Sequence, residues 1–402
     1  MASLAAADVR VAYKVQSAKG TPSSGSGGKI LAVRPGGGFR LNQALATSQL
    51  LRGDGMTDKP RFGSISVPGT YDSELLMAMH DEPLRAVLRA AAETATFNIT
   101  NADTTNVTIT GTGTVITAGS GSWVSLNVRA GMMGKFASLS VAGNNDVWFP
   151  ILAVTATTLT VPSGYLADNT ADTSYTLTIA KSVSQPTSPT ERYFTFDDYK
   201  QGIDLSWTIS DVKLSGFRLS VSPDEPAMIG YEAMGLVPDL AASGSSPVLT
   251  SPTDFTGRPL YLADGAVFVN GTAVFNITGL TLSLAAAAST LPVVGTRTSP
   301  DVFLGNAVLS GSYSGSIEDD SFLNLALNET QVSMMLIFAE RKTDPADFIS
   351  FYFGDLGMPS FEVPSGAEGG AIQTLPIVGG KDNRGTGYAA TQVLISSSSA
   401  AL

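Results

Sequence analysis

From Gly202 to Ser210 the chain reads GIDLSWTIS. Ile203, Leu205, Trp207 and Ile209 alternate with Asp204, Ser206 and Thr208, the two-residue period of a strand half-buried against a core. The same grammar recurs along the chain. In VKLSGFRLSVSPDEPAMIGYEAMG, Phe217, Leu219 and Val221 share one face, Arg218 and Ser220 the other, and SPDEP supplies the turn of a hairpin. A strand is expected around Phe39 to Leu45. RFGSISVPG, FNITGLTLSL (275–284), GNAVLSGSYSGS (305–316), VSMMLIFAER and DFISFYF read as further strands. Gly and Pro punctuate them, and Thr and Ser dominate the middle of the chain. A mainly β fold is therefore expected.

One stretch breaks the pattern. YDSELLMAMHDEPLRAVLRAAAET predicts a bent helix or two short ones. Asp72 or Ser73 can cap its start, and Asp81 and Pro83 suit a second start. Leu84, Val87, Leu88 and Ala91 then make one apolar stripe. From about residue 97 the chain turns to short Thr/Ser/Gly/Asn-rich runs, and 97–187 reads as a small all-β domain inserted into another. SQPTSPT (184–190) is its exit. The reading gives an N-terminal arm (1–30), a first domain (31–96 plus 188–240), the insert, a linker (241–254) and a second domain (255–402). Both larger domains follow one order: strand, long loop, strand, acidic cap, helix, then more strands. The fold is expected to be internally duplicated. The loops are 46–61 in the first half and 285–300 in the second, and IEDDSFLNLALNE carries the second acidic cap and helix.

Composition narrows the chemistry. The chain has 402 residues, 43% hydrophobic and 15% charged, with net charge −11. An average soluble chain carries roughly 25% charged residues, so contacts between copies are expected to cover part of this surface. The acid excess offers no basic stripe for tight nucleic-acid binding. Cysteine is absent, which excludes disulfides and thiolate metal sites. The first residues show no charged n-region and apolar h-region, so no secretory signal is expected. No apolar run approaches the roughly 18 residues of a membrane helix.

His80, the single histidine, has no evident partners for general base work and is expected at a helix surface or junction. GSGGKI lacks the first Gly and the Ser or Thr of a phosphate loop. Asp197-Asp198 and Glu318-Asp319-Asp320 could serve as glycosidase carboxylates or a Ca²⁺ site, but strand and helix-cap roles account for them. Sequons at Asn98 and Asn276 matter only with secretion. Trp123, Trp148 and Phe149 read as core rather than a sugar-binding platform. Arg52-Gly53-Asp54 resembles an adhesion tripeptide, yet composition alone yields such a triplet about one time in ten in a chain of this kind. No catalytic residue, metal or cofactor is expected.

The order of these elements resembles a known family. YKVQSAKGTPSSG, LLRGDGMTDKPRFGSISVPGTYDSELLMAMHDEPLRAVLRAAAET, DVKLSGFRLSVSPDEPAMIGYEAMG and GNAVLSGSYSGSIEDDSFLNLAL are similar, in sequence and in order, to the tail tube proteins of long-tailed, siphovirus-type phages. The insert is similar to a small β-domain such proteins carry. The resemblance implies a tail-tube β-sandwich or barrel fold with flanking short helices, and a structural protein of the virion tail assembled in the bacterial cytoplasm. Subunits would close into rings, and rings would stack around a tape-measure protein and later conduct DNA without binding it. Tail terminator and tail-tip proteins would be further partners. Two copies of the fold per chain favour three chains per ring, with pseudo-sixfold symmetry, over six. The loop residues Arg52, Asp54, Met56, Asp58 and Lys59 would then mediate ring stacking, and 285–300 would play the same part. The alternatives are a β-sandwich adhesin or surface protein and a carbohydrate-active β protein.

Overall fold

The computed structural model describes residues 8–50, 53–223, 225–241, 244–316, 324, 327–339, 347–360 and 372–398, with backbone alone for 262–264. Along the chain, β1 (Val9–Val15), β2 (Gly25–Ile30), β3 (Gly38–Phe39), β4 (Asn42–Ala46) and β5 (Arg61–Glu74) lead to α1 (Asp81–Val87). Nine short strands follow: β6 (Phe97–Thr100), β7 (Val107–Thr110), β8 (Val115–Thr117), β9 (Met133–Ala137), β10 (Trp148–Pro150), β11 (Ala153–Val154), β12 (Thr158–Thr160), β13 (Asn169–Asp172) and β14 (Thr176–Ile179). Then come β15 (Lys181–Ser184), β16 (Phe194–Lys200), β17 (Leu205–Val221), β18 (Met228–Gly235), β19 (Val237–Ala241) and β20 (Leu249–Thr253). The remainder holds β21 (Tyr261–Val269), β22 (Thr272–Ala273), β23 (Ile277–Thr290), β24 (Val302–Ser316), β25 (Val332–Ala339), β26 (Phe348–Gly357), β27 (Ile372–Gly379) and β28 (Leu394–Ser397).

The fold is mainly β, and among the described residues no sheet closes into a barrel. One sheet runs β20–β2–β1–β16–β17–β19, using the first part of β17. The strand bends at Asp211, whose φ is 55°, a left-handed conformation that Asp tolerates better than most side chains. Its second part lies in another sheet, in which β3 and β4 flank β5, and β5, β18, β17, β23, β24 and β27 follow in order. The third sheet is β22–β21–β25–β26–β28–β15. The core between the layers is rich in rings. Phe196 stacks on Tyr71 at 5.7 Å and meets Phe39 at 5.3 Å and Tyr13 at 5.9 Å. Each such buried ring contributes about 2 kcal/mol.

Several expectations are corrected. The N-terminal segment read as an arm holds two strands, and Val11, Ala12 and Tyr13 are buried. The stretch read as a bent helix or two short ones is helical over Asp81–Val87, while Tyr71–Glu74 continue β5 and pair with β18. The N-cap of α1 is His80, with no side-chain cap bond, and neither Asp72 nor Ser73 caps it. Gly202 and Ile203 belong to a 3-10 turn that ends at Asp204, while LSWTIS (205–210) and the hairpin strand after it are one continuous β17. Its polar face is not solvated: Ser206 and Thr208 are buried, whereas Ile203 is exposed. The segment around Ser246 and Leu249 lies over that face, with Ser246 Oγ 2.6 Å from Asp204 and the Leu249 N–H donating to Asp197. The second long loop is shorter than read, because β23 runs to Thr290 and β24 begins at Val302. The helix read over 317–329 falls largely outside the described residues; Asn324 and Leu327 have helical backbone.

The two halves are built to one register. β18 pairs Gly235 with Val67 and Met228 with Glu74; β27 pairs Gly379 with Leu309 and Ile372 with Ser316. Val67-Pro68-Gly69-Thr70-Tyr71 thus corresponds to Leu309-Ser310-Gly311-Ser312-Tyr313. Both tyrosines are buried. Both glycines leave space that a Cβ would fill, Gly69 for the Phe39 ring and Gly311 for Thr281 O and Leu282. β16 and β17 correspond likewise to β25 and β26 through the pairs Asp197–Thr208 and Met335–Tyr352.

Candidate assembly surfaces

About half of the exposed large apolar side chains lie on two hairpin arms, with others scattered, among them Phe275 and Leu240. β4 and β5 form the first, with Leu45, Phe62, Leu50 and Met56 exposed. β23 and β24 form the second, with Leu291, Val294, Phe303 and Val308 exposed. The arms touch. The Ile65 N–H donates to Arg297 O at 2.8 Å, and the Arg297 guanidinium donates to Phe62 O at 2.6 Å. Large exposed apolar patches mark contact surfaces.

The connection 47–60 carries the residues expected to stack rings. Asp54, Met56, Asp58 and Lys59 are exposed, Met56 by 70%, and Asp54 Oδ1 accepts the Met56 N–H at 3.0 Å. Arg52 lies outside the described residues. The second connection, 291–301, is anchored by a charge cluster. Lys213 Nζ lies 2.8 Å from Glu191 and 3.3 Å from Asp301, donates to Val302 O, and sits 4.9 Å over the Tyr193 ring. Burial pushes Asp301 up, but Lys213 and the Val302 N–H outweigh it and hold the carboxyl below its usual range. Lys19 adds contacts to Pro300 O and Asp301. The sequence offered no signal for this cluster, since its members come from four distant segments.

The continuous sheet has one covered and one open face. Val67, Tyr71, Ile229, Phe217, Leu282 and Leu309 point into the core. Thr70, Glu232, Arg218, Ser283, Ser310 and Ser312 lie on the other side, and Arg218 reaches Asp72 at 3.2 Å across β18.

The described residues among those considered for chemistry sit in the following surroundings. His80 sits at the junction into α1 and is buried rather than on the helix surface: its Nε2–H donates to Glu74 O at 2.8 Å and Nδ1 accepts from Tyr231 Oη at 3.0 Å. Burial lowers its pKa to about 4, the Glu74 carbonyl and Asp81 opposing in part. Asp197 is fully buried, and Asp198, on the opposite face, is paired with Lys200 at 2.6 Å. Glu318, Asp319 and Asp320 lie outside the described residues. GSGGKI forms β2, a strand rather than a phosphate-cradling loop. Trp123, Trp148 and Phe149 are buried in the second core cluster. Asp81 binds Lys181 at 2.9 Å, tying α1 to β15. Among the described residues no group of three His, Asp or Glu gathers to hold a metal.

A family model described as phage tail tube protein matches residues 6–377. No curated protein matches the chain.

Proposed function

Since the chain belongs to the family of phage tail tube proteins, we propose that it closes into rings which stack into the hollow tube of a long-tailed, siphovirus-type phage tail. The tube surrounds a tape-measure protein during assembly in the host cytoplasm and conducts DNA at infection, with terminator and tip proteins at its ends. Residues 31–96 with 188–240 form one tube unit, 255–402 the second, and 97–187 an inserted domain. The observation carrying this reading is the shared register of the two halves, joined in one sheet through β17 and β23. With two units per chain, three chains complete a ring of pseudo-sixfold symmetry.

The hairpin arms supply the stacking surface. Head-to-tail contact between unlike faces produces an open filament, and the exposed apolar residues at 45–62 and 291–308 give such a contact area to bury. Arg52, Asp54, Met56, Asp58 and Lys59 belong to the stacking loop. The open face of the continuous sheet suits a conduit wall. Its short hydroxyls and the Asp72–Arg218 pair, with Arg34 beside it, give a mostly neutral wall for a passing phosphate backbone.

Negative-stain microscopy of the purified chain tests the reading: rings or tubes with a central hole are expected, with three copies per ring by native mass spectrometry. Deleting residues 50–59 is expected to leave rings that do not polymerise. Discrete monomers at every concentration would sink the tube reading, and normal tubes from the deletion variant would sink the loop's role.

A further inference from the structure

We propose that the Asp81 and Lys181 side chains condense into an amide within the folded chain, with Glu93 carrying the protons. The protein thereby makes one covalent cross-link in itself. The reaction needs no contact between copies, so it stands apart from the ring reading.

Lysine and aspartate are rarely buried together, and exposed pairs stay ionic in water. Among the described ion pairs, this one alone has both side chains under a tenth exposed, 6% for Lys181 and 7% for Asp81. Lys213 also meets two carboxylates, but Glu191 and Asp301 are 34% and 26% exposed. Asp81 opens α1, and Lys181 lies on β15 opposite Ser397 of β28. Leu84 of α1, Val183 of β15 and Ile395 of β28 wall the small space around them. Leu84 and Ile395 are themselves buried.

The amine is held against its target. Lys181 Nζ lies 2.9 Å from Asp81 Oδ2, which is one bond from the carboxyl carbon. Glu93 Oε2 lies 3.7 Å from the same nitrogen and its side chain reaches solvent in part. Two carboxyls beside one amine let one react while the other moves protons. The ammonium gives a proton to Glu93, and the freed amine attacks Asp81 Cγ. The N–Cγ bond forms and one Cγ–O bond breaks. The departing oxygen takes two of the three ammonium protons, by way of Glu93, and leaves as water; the third stays on the amide. Glu93 ends ionised as it began, and nothing is oxidised or reduced. Fixed proximity replaces a chance encounter, and a neutral amide replaces two charges that burial disfavours.

The position gives the bond a purpose. Residues 81 and 181 flank the Thr/Ser-rich insert, and beside them Thr94 and Ser182 exchange backbone hydrogen bonds at 2.7 and 2.9 Å. An amide there staples the two ends of the insert together. A pull on the insert is then borne by covalent bonds rather than by the sheets beneath it.

Tandem mass spectrometry of a tryptic digest of the purified, denatured chain tests this. Residues 62–85 and 136–192 are expected as one branched peptide, uncleaved at Lys181 and lighter than its two parts by one water. Lys181→Arg and Glu93→Gln are expected to release the two parts separately. Glu93→Gln keeps the Lys181–Asp81 contact, so loss of the branch in a variant with wild-type circular dichroism separates proton transfer from folding. Free 62–85 and 136–181 from the wild-type chain would overturn the cross-link. A branched peptide from Glu93→Gln would overturn the part given to Glu93.

Discussion

His80 is enclosed on every side, and both ring nitrogens are used. Its environment admits the neutral ring, so its pKa falls from the ordinary 6.5 to about 4. Between those values the unfolded chain binds a proton that the folded chain refuses. Stability is therefore full above pH 6.5 and declines as pH falls toward 4, by about 3 kcal/mol from this residue. Urea titrations of wild type and His80→Gln between pH 4 and 7 check it: the wild-type midpoint should fall more steeply, and parallel curves would refute the assignment. The sequence marked His80 as a lone histidine without catalytic partners. It could not show that Tyr231, 151 positions away, supplies a hydrogen bond. The charge cluster at Lys213 was illegible for the same reason, its partners being Glu191 and Asp301.

At the scale of elements, the junction of β17 and β23 joins the halves. Gly216 makes it possible: a Cβ there would lie 2.8 Å from Leu284 O and 2.9 Å from the Ala285 Cα. Both obstacles are backbone, so neither can swing aside. Gly216→Val is expected to cost about 1–3 kcal/mol, seen as a lowered urea midpoint; an unchanged midpoint would show that the strands separate freely. Strand alternation was legible wherever one face met a core, as in Phe217, Leu219 and Val221. It misled at Ser206 and Thr208, because a distant segment covers the polar face. The helical stripe read correctly at Leu84, Val87 and Leu88, which are buried, but not at Ala91, which lies past the end of α1 and is exposed. Tyr71–Glu74 did not, because β18 offers them a complete ladder, which outweighs a weak local propensity. The repeated Gly-Thr-Tyr and Gly-Ser-Tyr at 69–71 and 311–313 was the available signal for the register.

Across the whole molecule, the halves differ in how corresponding faces are covered. Ala12, Asp197 and Thr208 of the first half correspond to Phe268, Met335 and Tyr352 of the second. The polar set lies under the segment around Leu249; the apolar set packs against 97–180, with Trp148 5.2 Å from Phe348 and Tyr165 6.4 Å from Phe268. Replacing 97–179 by a short linker is thus expected to uncover an apolar face, at about 2 kcal/mol for each large side chain exposed. Lower thermal stability and strong binding of a hydrophobic dye would report it. A variant as stable and dye-silent as wild type would make the insert a mere attachment. By itself the sequence determined the β class, the position of the Thr/Ser-rich segment and the presence of two long connections. These follow from local alternation and turn chemistry, which act over a few residues. The tertiary structure decided which faces are buried and which strands join the halves. Those depend on partners hundreds of residues apart, and burial is a property of what covers a face rather than of the residues on it.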